Sequence, residues 1–203
     1  GYYMLFAINN GVPSVSKAIR IGNGLNGPGG SVQIRFSSQT GNIPGTIEAE
    51  FFDLGGQGIA YNEVDNGKFG DNSFRPGENV DANVLSGSNY KVGWAANGEW
   101  LEYTVDAQSG NYDIIVTASS GSTGAVGDLQ LSLDGVNLGV ANITSTGSWF
   151  TTQNFTISNV DINGGDDKVL RLTVVNGESF DIDKVTFVRN LACDDDDNDG
   201  VCN

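Results

Sequence analysis

Residues 129–140 read LQLSLDGVNLGV: Leu129, Leu131 and Leu133 alternate with other residues up to Asp134-Gly135, after which Val136, Leu138 and Val140 resume the alternation. Period two puts every second side chain on one face of an extended chain, and Asp-Gly accepts the positive φ angles of a two-residue turn. The stretch therefore predicts a β-hairpin. The same pattern spreads outward. Tyr112, Ile114, Val116 and Ala118 form one stripe, and Leu101, Tyr103 and Val105 another, alternating with Trp100, Glu102 and Thr104. Further upstream, Ile47, Ala49 and Phe51 alternate with Glu48, Glu50 and Phe52; downstream, Leu170, Leu172 and Val174, then Val185 and Phe187, supply two more strands. No segment keeps a helical period for three turns. Many short strands separated by Gly, Asn, Asp and Ser predict an all-β fold, an antiparallel β-sandwich of the jelly-roll kind.

Composition narrows the functions open to such a fold. Glycine supplies 29 of 203 residues, roughly double its usual share of about 7%, without collagen's strict period, so the excess serves turns. The net charge is −15, from 10 basic and 25 acidic residues. That balance argues against nucleic acid or an anionic membrane as partner, and suits calcium, neutral sugars and export to the cell surface or medium. The chain contains no histidine, which excludes Ser-His-Asp catalysis, a histidine general base and His-ligated zinc or copper within it. No run approaches the ~20 apolar residues of a membrane helix. Gly1 opens straight into the apolar run Tyr2 to Ile8 with no leader-like pattern, and the other end stops inside an acidic loop. The expectation is that both ends are cuts through a longer polypeptide. The two cysteines, Cys193 and Cys202, sit close together in the last eleven residues. A local disulfide between them would fit an oxidising compartment.

Composition breaks divide the chain into four parts. Residues 1–22 read as two strands joined at Asn9-Asn10-Gly11-Val12-Pro13. Residues 23–45 read as a linker: NGLNGPGG opens it, and the strand-like alternation of Val32, Ile34 and Phe36 is broken by TGNIPG. The sandwich is expected over 46–190, and from Leu191 the composition turns to aspartate.

Four motifs, IEAEFFD, VGWAANGEWLEYTV, GSWFTT and ESFDIDKVTFV, stand in an order and at a spacing that closely resemble the family 6 carbohydrate-binding modules. The resemblance covers about 145 residues. It implies a jelly roll with a structural calcium between the first and last strands, a sugar site in the loops at one end, and attachment to an enzyme acting on polysaccharide. The insert FGDNSFRPGENVDANV is similar to members attached to marine β-glucanases and agarases. Residues 1–22 look like the last two strands of the immunoglobulin-like domain that closes galactose-oxidase-type copper enzymes. A copper-radical oxidase is thus implied as the covalently linked parent, although none of that oxidase's catalytic residues can lie in this chain. The tail resembles the start of a thrombospondin type 3 calcium repeat.

Each constellation has a plain structural reading beside the functional one. Glu48 and Glu50, two apart on a strand, would share a face about 7 Å apart and repel unless a cation or solvent intervenes. Calcium takes six to eight oxygen ligands, carboxylates among them, and the resemblance implies that Glu48, Glu50 and Asp183 hold it. The rivals are a solvated strand face and a glycosidase carboxylate pair, which lacks a second wall to form a cleft here. The resemblance places a sugar between Trp94 and Trp149, whose rings suit the apolar faces of a pyranose. The plain alternative makes both tryptophans core. Trp100, opening a strong strand, reads as structural. A third position, often asparagine in the family, falls on Asp181, which when ionised only accepts hydrogen bonds. Asn97 and Glu99, in the loop after Trp94, are further polar candidates. In the tail, Asp195, Asp197 and Asp199 with Gly200 match the opening of an EF-hand-like calcium loop. A full loop needs another acid about six residues on, so the tail reads equally as a solvated acidic run. Asp65, Asp71, Glu78, Asp81 and Arg75 crowd the insert, where a second calcium, an Arg–carboxylate bridge or plain solvation would each serve.

The expected function is therefore a non-catalytic, monomeric module binding a neutral β-glucan or galactan such as agarose. The alternatives are a catalytic β-sandwich (a lyase or glycosidase) and a calcium-stiffened spacer or adhesin.

Overall fold

The computed structural model describes residues 32–36 and 41–190, except 66, 72, 88 and 178, together with the backbone of 2–5, 8–9, 12–13 and 17–20. The first four strands pair among themselves: β1 (Tyr2–Leu5) is antiparallel to β4 (Lys17–Arg20), and β2 (Ile8–Asn9) to β3 (Val12–Pro13). The sandwich follows as β5 (Asn42–Ile43), β6 (Gly45–Glu48), β7 (Tyr61–Asn62), β8 (Ala82–Ser86), β9 (Asn89–Val92), β10 (Trp100–Ala107), β11 (Gly110–Ser120), β12 (Ala125–Leu133), β13 (Val136–Thr144), β14 (Ser148–Ile162), β15 (Gly165–Gly177) and β16 (Asp181–Arg189). One sheet runs β13-β12-β15-β10-β5, with β7 also on β10; the other runs β14-β11-β16-β9-β8, with β6 also on β16. From β10 to β16 each successive strand crosses to the other sheet, except that β12 and β13 stay together as a hairpin, as in an antiparallel sandwich.

The expected stripes supply the core: Tyr103, Val105, Tyr112, Ile114, Val116, Leu129, Leu131, Leu170 and Val185 are fully buried. Asp134 and Gly135 both take positive φ, 48° and 79°, and close the hairpin between β12 and β13. Beyond the turn the expected stripe fails. Val136 and Val140 are exposed, whereas Leu138, Ala141 and Ile143 are buried. The register slips between Leu131↔Gly139 and Ser132↔Asn137, so a bulge around Leu138 moves the inward phase by one residue.

The N-terminal edge also differs from expectation. Ile43, 1% exposed, is core, and β5 lies parallel to β10. The stretch 32–36 is held too: Ile34 exchanges backbone bonds of 2.8 Å with Leu54, and Arg35 meets Asp106 at 3.0 Å. Part of the expected linker thus packs on the sandwich, its two-residue strand hidden in sequence by the Gly and Pro around it. The strand containing Glu48 also stops at that residue, and Ala49–Phe51 form a 3₁₀ turn. Phe52, not Phe51, consequently fills the core, and Glu50 turns inward to 4% exposure. The insert is clamped to the body by Arg75, which pairs with Glu78, donates to the carbonyls of Glu50, Phe52 and Asp53, and lies over the Phe52 ring at 3.5 Å. Of the three readings of the insert, the arginine–carboxylate bridge is present. Among the described residues no helix is long and apolar enough to cross a membrane.

Candidate functional site

At one end of the sandwich Trp94, Trp149, Phe150 and Asp181 line a cleft of about 560 Å³, joined by Asp65 and Asn83. Trp94 follows β9 in the left-handed region, at φ 50°, which turns the chain sharply off the strand. Its ring rests against Phe69, with centroids 6.1 Å apart. A Cβ on Gly70 would stand 2.8 Å from Trp94 Cζ3 and 2.1 Å from the Ala82 carbonyl; glycine lets the insert close on this wall. On the other wall Trp149 is the second residue of β14. Gly121 lies beneath it: a Cβ there would be 2.4 Å from its Nε1. Trp94 is 45% and Trp149 39% exposed, so both rings present a face to solvent and the core reading of these residues fails.

Beneath the rings Asp181, at the start of β16, meets Lys91 of β9 at 2.5 Å. Lys91 is 1% exposed and also donates to the Trp149 carbonyl and, at 3.5 Å, to Ser119 Oγ. Burial pushes the Asp181 carboxyl above its ordinary range, and the Lys91 bond and charge oppose that. Gly93 leaves room for this acid, since a Cβ there would lie 2.9 Å from Asp181 Oδ1. The lysine is a site residue that the sequence reading missed. An acid where an amide is usual required a counter-charge, and that was the available signal.

Asn97 and Glu99 do not join these walls. The turn after Ala96 folds Glu99 inward to 8% exposure, where its Oε2 accepts from Ala96 N at 2.8 Å and its Oε1 from Val64 N at 3.5 Å. Its charge faces Glu63 instead: burial, then Glu99, push the Glu63 carboxyl up to about 9. Trp100 stands apart from the cleft, under the Arg171 guanidinium at 4.1 Å, which agrees with its structural reading.

Glu48, Glu50 and Asp183 lie near enough to feel one another's charge, by a route other than the shared strand face, and Lys184 pairs with Asp183 at 3.5 Å. Among the described residues it is a different set of acids that brings one carboxylate oxygen each within 4.8 Å of the others. Lys184 is opposite Glu48 in the register of β16 and β6, and the 3₁₀ turn then carries Glu50 inward. Burial is the main cause that raises the Glu50 carboxyl to about 7, and the charges of Glu48 and Asp183 add to it. Glu50 Oε2 is buried without a hydrogen-bond partner. An orphaned oxygen among three acids of like charge fits a hard cation. Asp195, Asp197 and Asp199, with both cysteines, lie outside the described residues.

A family model described as carbohydrate binding module (family 6) matches residues 73–189, more than half of the chain, though it begins after Glu48 and Glu50. Solved structures share the fold. A family 6 module from Clostridium cellulolyticum in complex with xylose aligns at 20% identity and TM-score 0.54, covering 73% of this chain and 99% of its own. The C-terminal module of the marine laminarinase LamC from Zobellia galactanivorans aligns at 22% and 0.53, over 71% and 98%. A β-1,3-glucan-binding module from Bacillus halodurans aligns at 22% and 0.51, over 72% and 96%. No match was found among curated protein sequences.

Proposed function

Because the chain belongs to the family 6 carbohydrate-binding modules, we propose that it holds a neutral polysaccharide, a β-glucan or a galactan such as agarose, in the cleft between Trp94 and Trp149. The observation that carries this reading is the pair of half-exposed indoles lining one cleft above a buried, charge-paired acid. Pyranose C–H faces lie against the rings, and Asp181 accepts from hydroxyls at the edge. Lys91 fixes that carboxylate and offsets its charge. The chain's net charge of −15 leaves the cleft unwelcoming to uronates and sulfated sugars. The module serves as the targeting part of a larger secreted or cell-surface protein acting on polysaccharide, and a copper-radical oxidase is the parent that residues 1–22 suggest. A carbohydrate array tests the reading: retention by neutral β-glucans or galactans is expected, and retention by none of them, with the protein folded, overturns it.

Gly121→Ala is expected to lower affinity several-fold, because the new Cβ must displace the Trp149 ring. Titration with the array's best oligosaccharide checks this, and an unchanged affinity counts against the ring's role.

Glu48, Glu50 and Asp183 would hold a structural calcium, which offsets most of the charge of three acids and ties the end of β6 to β16. A ligand at a hundredfold over its dissociation constant adds about 2.7 kcal/mol. Chelation should therefore lower the melting temperature by several degrees. The chelated protein should also gain stability on acidification. Glu50's folded carboxyl is raised to about 7 from 4.5, so the folded state binds the extra proton across that window, and stability falls as pH rises through it. Melting curves in chelator that are unshifted, or that weaken between pH ~7 and ~5, would argue against this assignment.

A further inference from the structure

We propose that Glu63, Asp65 and Asp81 form a second calcium site, beside the cleft and separate from Glu48, Glu50 and Asp183. One carboxylate oxygen from each of the three lies within 4.8 Å of the others. Two oxygens at 2.3–2.6 Å from a shared calcium stand up to about 5 Å apart, so the spacing suits a single ion. Each of the three residues also has a buried oxygen with no hydrogen-bond partner: Glu63 Oε2, Asp65 Oδ1 and Asp81 Oδ2. Asp81 is 1% exposed, and only its Oδ1 is engaged, accepting from Phe69 N at 2.6 Å.

The surrounding cations do not serve these oxygens. Lys68, whose charge Asp81 feels, donates its ammonium hydrogens to the carbonyls of Phe74 and Arg75. Arg75 is committed to Glu78 and the carbonyls near Glu50. A fourth acid, Glu99, adds its charge from the side of Glu63. Leaving one buried oxygen of each of three mutually facing carboxylates without a partner is costly, and a hard cation removes that cost for all three. The ligands join the short strand β7, the insert and the approach to β8. Asp81 also holds Phe69, whose ring braces Trp94, and its carbonyl accepts from Gly93 N at 3.0 Å. The ion thus pins the wall that carries Trp94.

Equilibrium dialysis of the full chain against calcium alone, with bound metal counted per chain at saturation, tests the site without any sugar. Asp81→Asn and Glu63→Gln are each expected to bind one calcium fewer than wild type, whereas Asp183→Asn retains this ion and loses the other. An equal count in wild type and both variants overturns the proposal. Should either variant fail to fold, terbium on the wild-type chain decides. Selective tryptophan excitation is expected to give sensitised terbium emission that calcium displaces, that persists in Asp183→Asn and that falls in Trp94→Phe. No such emission, or emission abolished by Asp183→Asn and unchanged by Trp94→Phe, overturns it.

Discussion

Trp149→Ala is expected to weaken oligosaccharide binding by about ten- to a hundredfold while leaving the melting temperature nearly unchanged. A sugar covering about 100 Å² of apolar ring gains roughly 2.5 kcal/mol at ~25 cal/mol/Å². Part of this is lost in ordering the ligand, and each 1.4 kcal/mol left is a factor of ten. The fold loses little because the ring is 39% exposed. The bonds that anchor this stretch, from Lys91 and from Ser119 Oγ at 2.9 Å, go to the Trp149 main-chain carbonyl, which alanine keeps. Calorimetric titration alongside a melting curve separates the two effects. A variant that unfolds, or one that binds like wild type, would contradict the assignment.

Lys91→Met should have the largest effect on stability, a loss of about 3–5 kcal/mol, because it strands the Asp181 carboxylate in a buried site. Burial already raises that carboxyl, and Lys91 opposes the rise. Without the lysine the folded state takes up a proton more readily than the unfolded chain. The deficit should therefore be full at neutral pH and shrink as pH falls towards about 4. Lys91→Met combined with Asp181→Asn should recover much of the loss, since the charge is gone. Urea denaturation of the three proteins measures this. A Lys91→Met chain within about 1 kcal/mol of wild type would mean that the pair does not hold the floor of the cleft.

The two predictions rest on features that were legible to different degrees. The hairpin at Asp134-Gly135 could be read because a local rule, positive φ at two adjacent residues, fixes it. Val140 was misplaced because a bulge changes phase without leaving a mark on the alternation itself. Trp94 and Trp149 were singled out only through the family resemblance, and both lie on the walls of one cleft. Lys91 was not found, since one lysine in NYKVGW reads as an outward position of a strand, yet both Lys91 and Val92 are buried. Glu48 and Glu50 were paired for the wrong reason: a strand was assumed where the chain makes a 3₁₀ turn. Asn97 and Glu99 were judged by proximity in sequence to Trp94, but Glu99 folds inward to face Val64 and Glu63. The facing of Glu63 and Asp81 depends on tertiary packing alone, and no spacing rule reaches it.

The central claim is that Trp94 and Trp149 hold one sugar between them while Trp100 does not. The chain has only three tryptophans, so its indole N–H resonances can be assigned by single substitutions and followed by NMR during titration with a neutral glucan or agarose oligosaccharide. The account predicts that the Trp94 and Trp149 signals move together along one binding curve and that Trp100 stays in place. Movement of Trp100 alone, or two curves with different midpoints for Trp94 and Trp149, would contradict it.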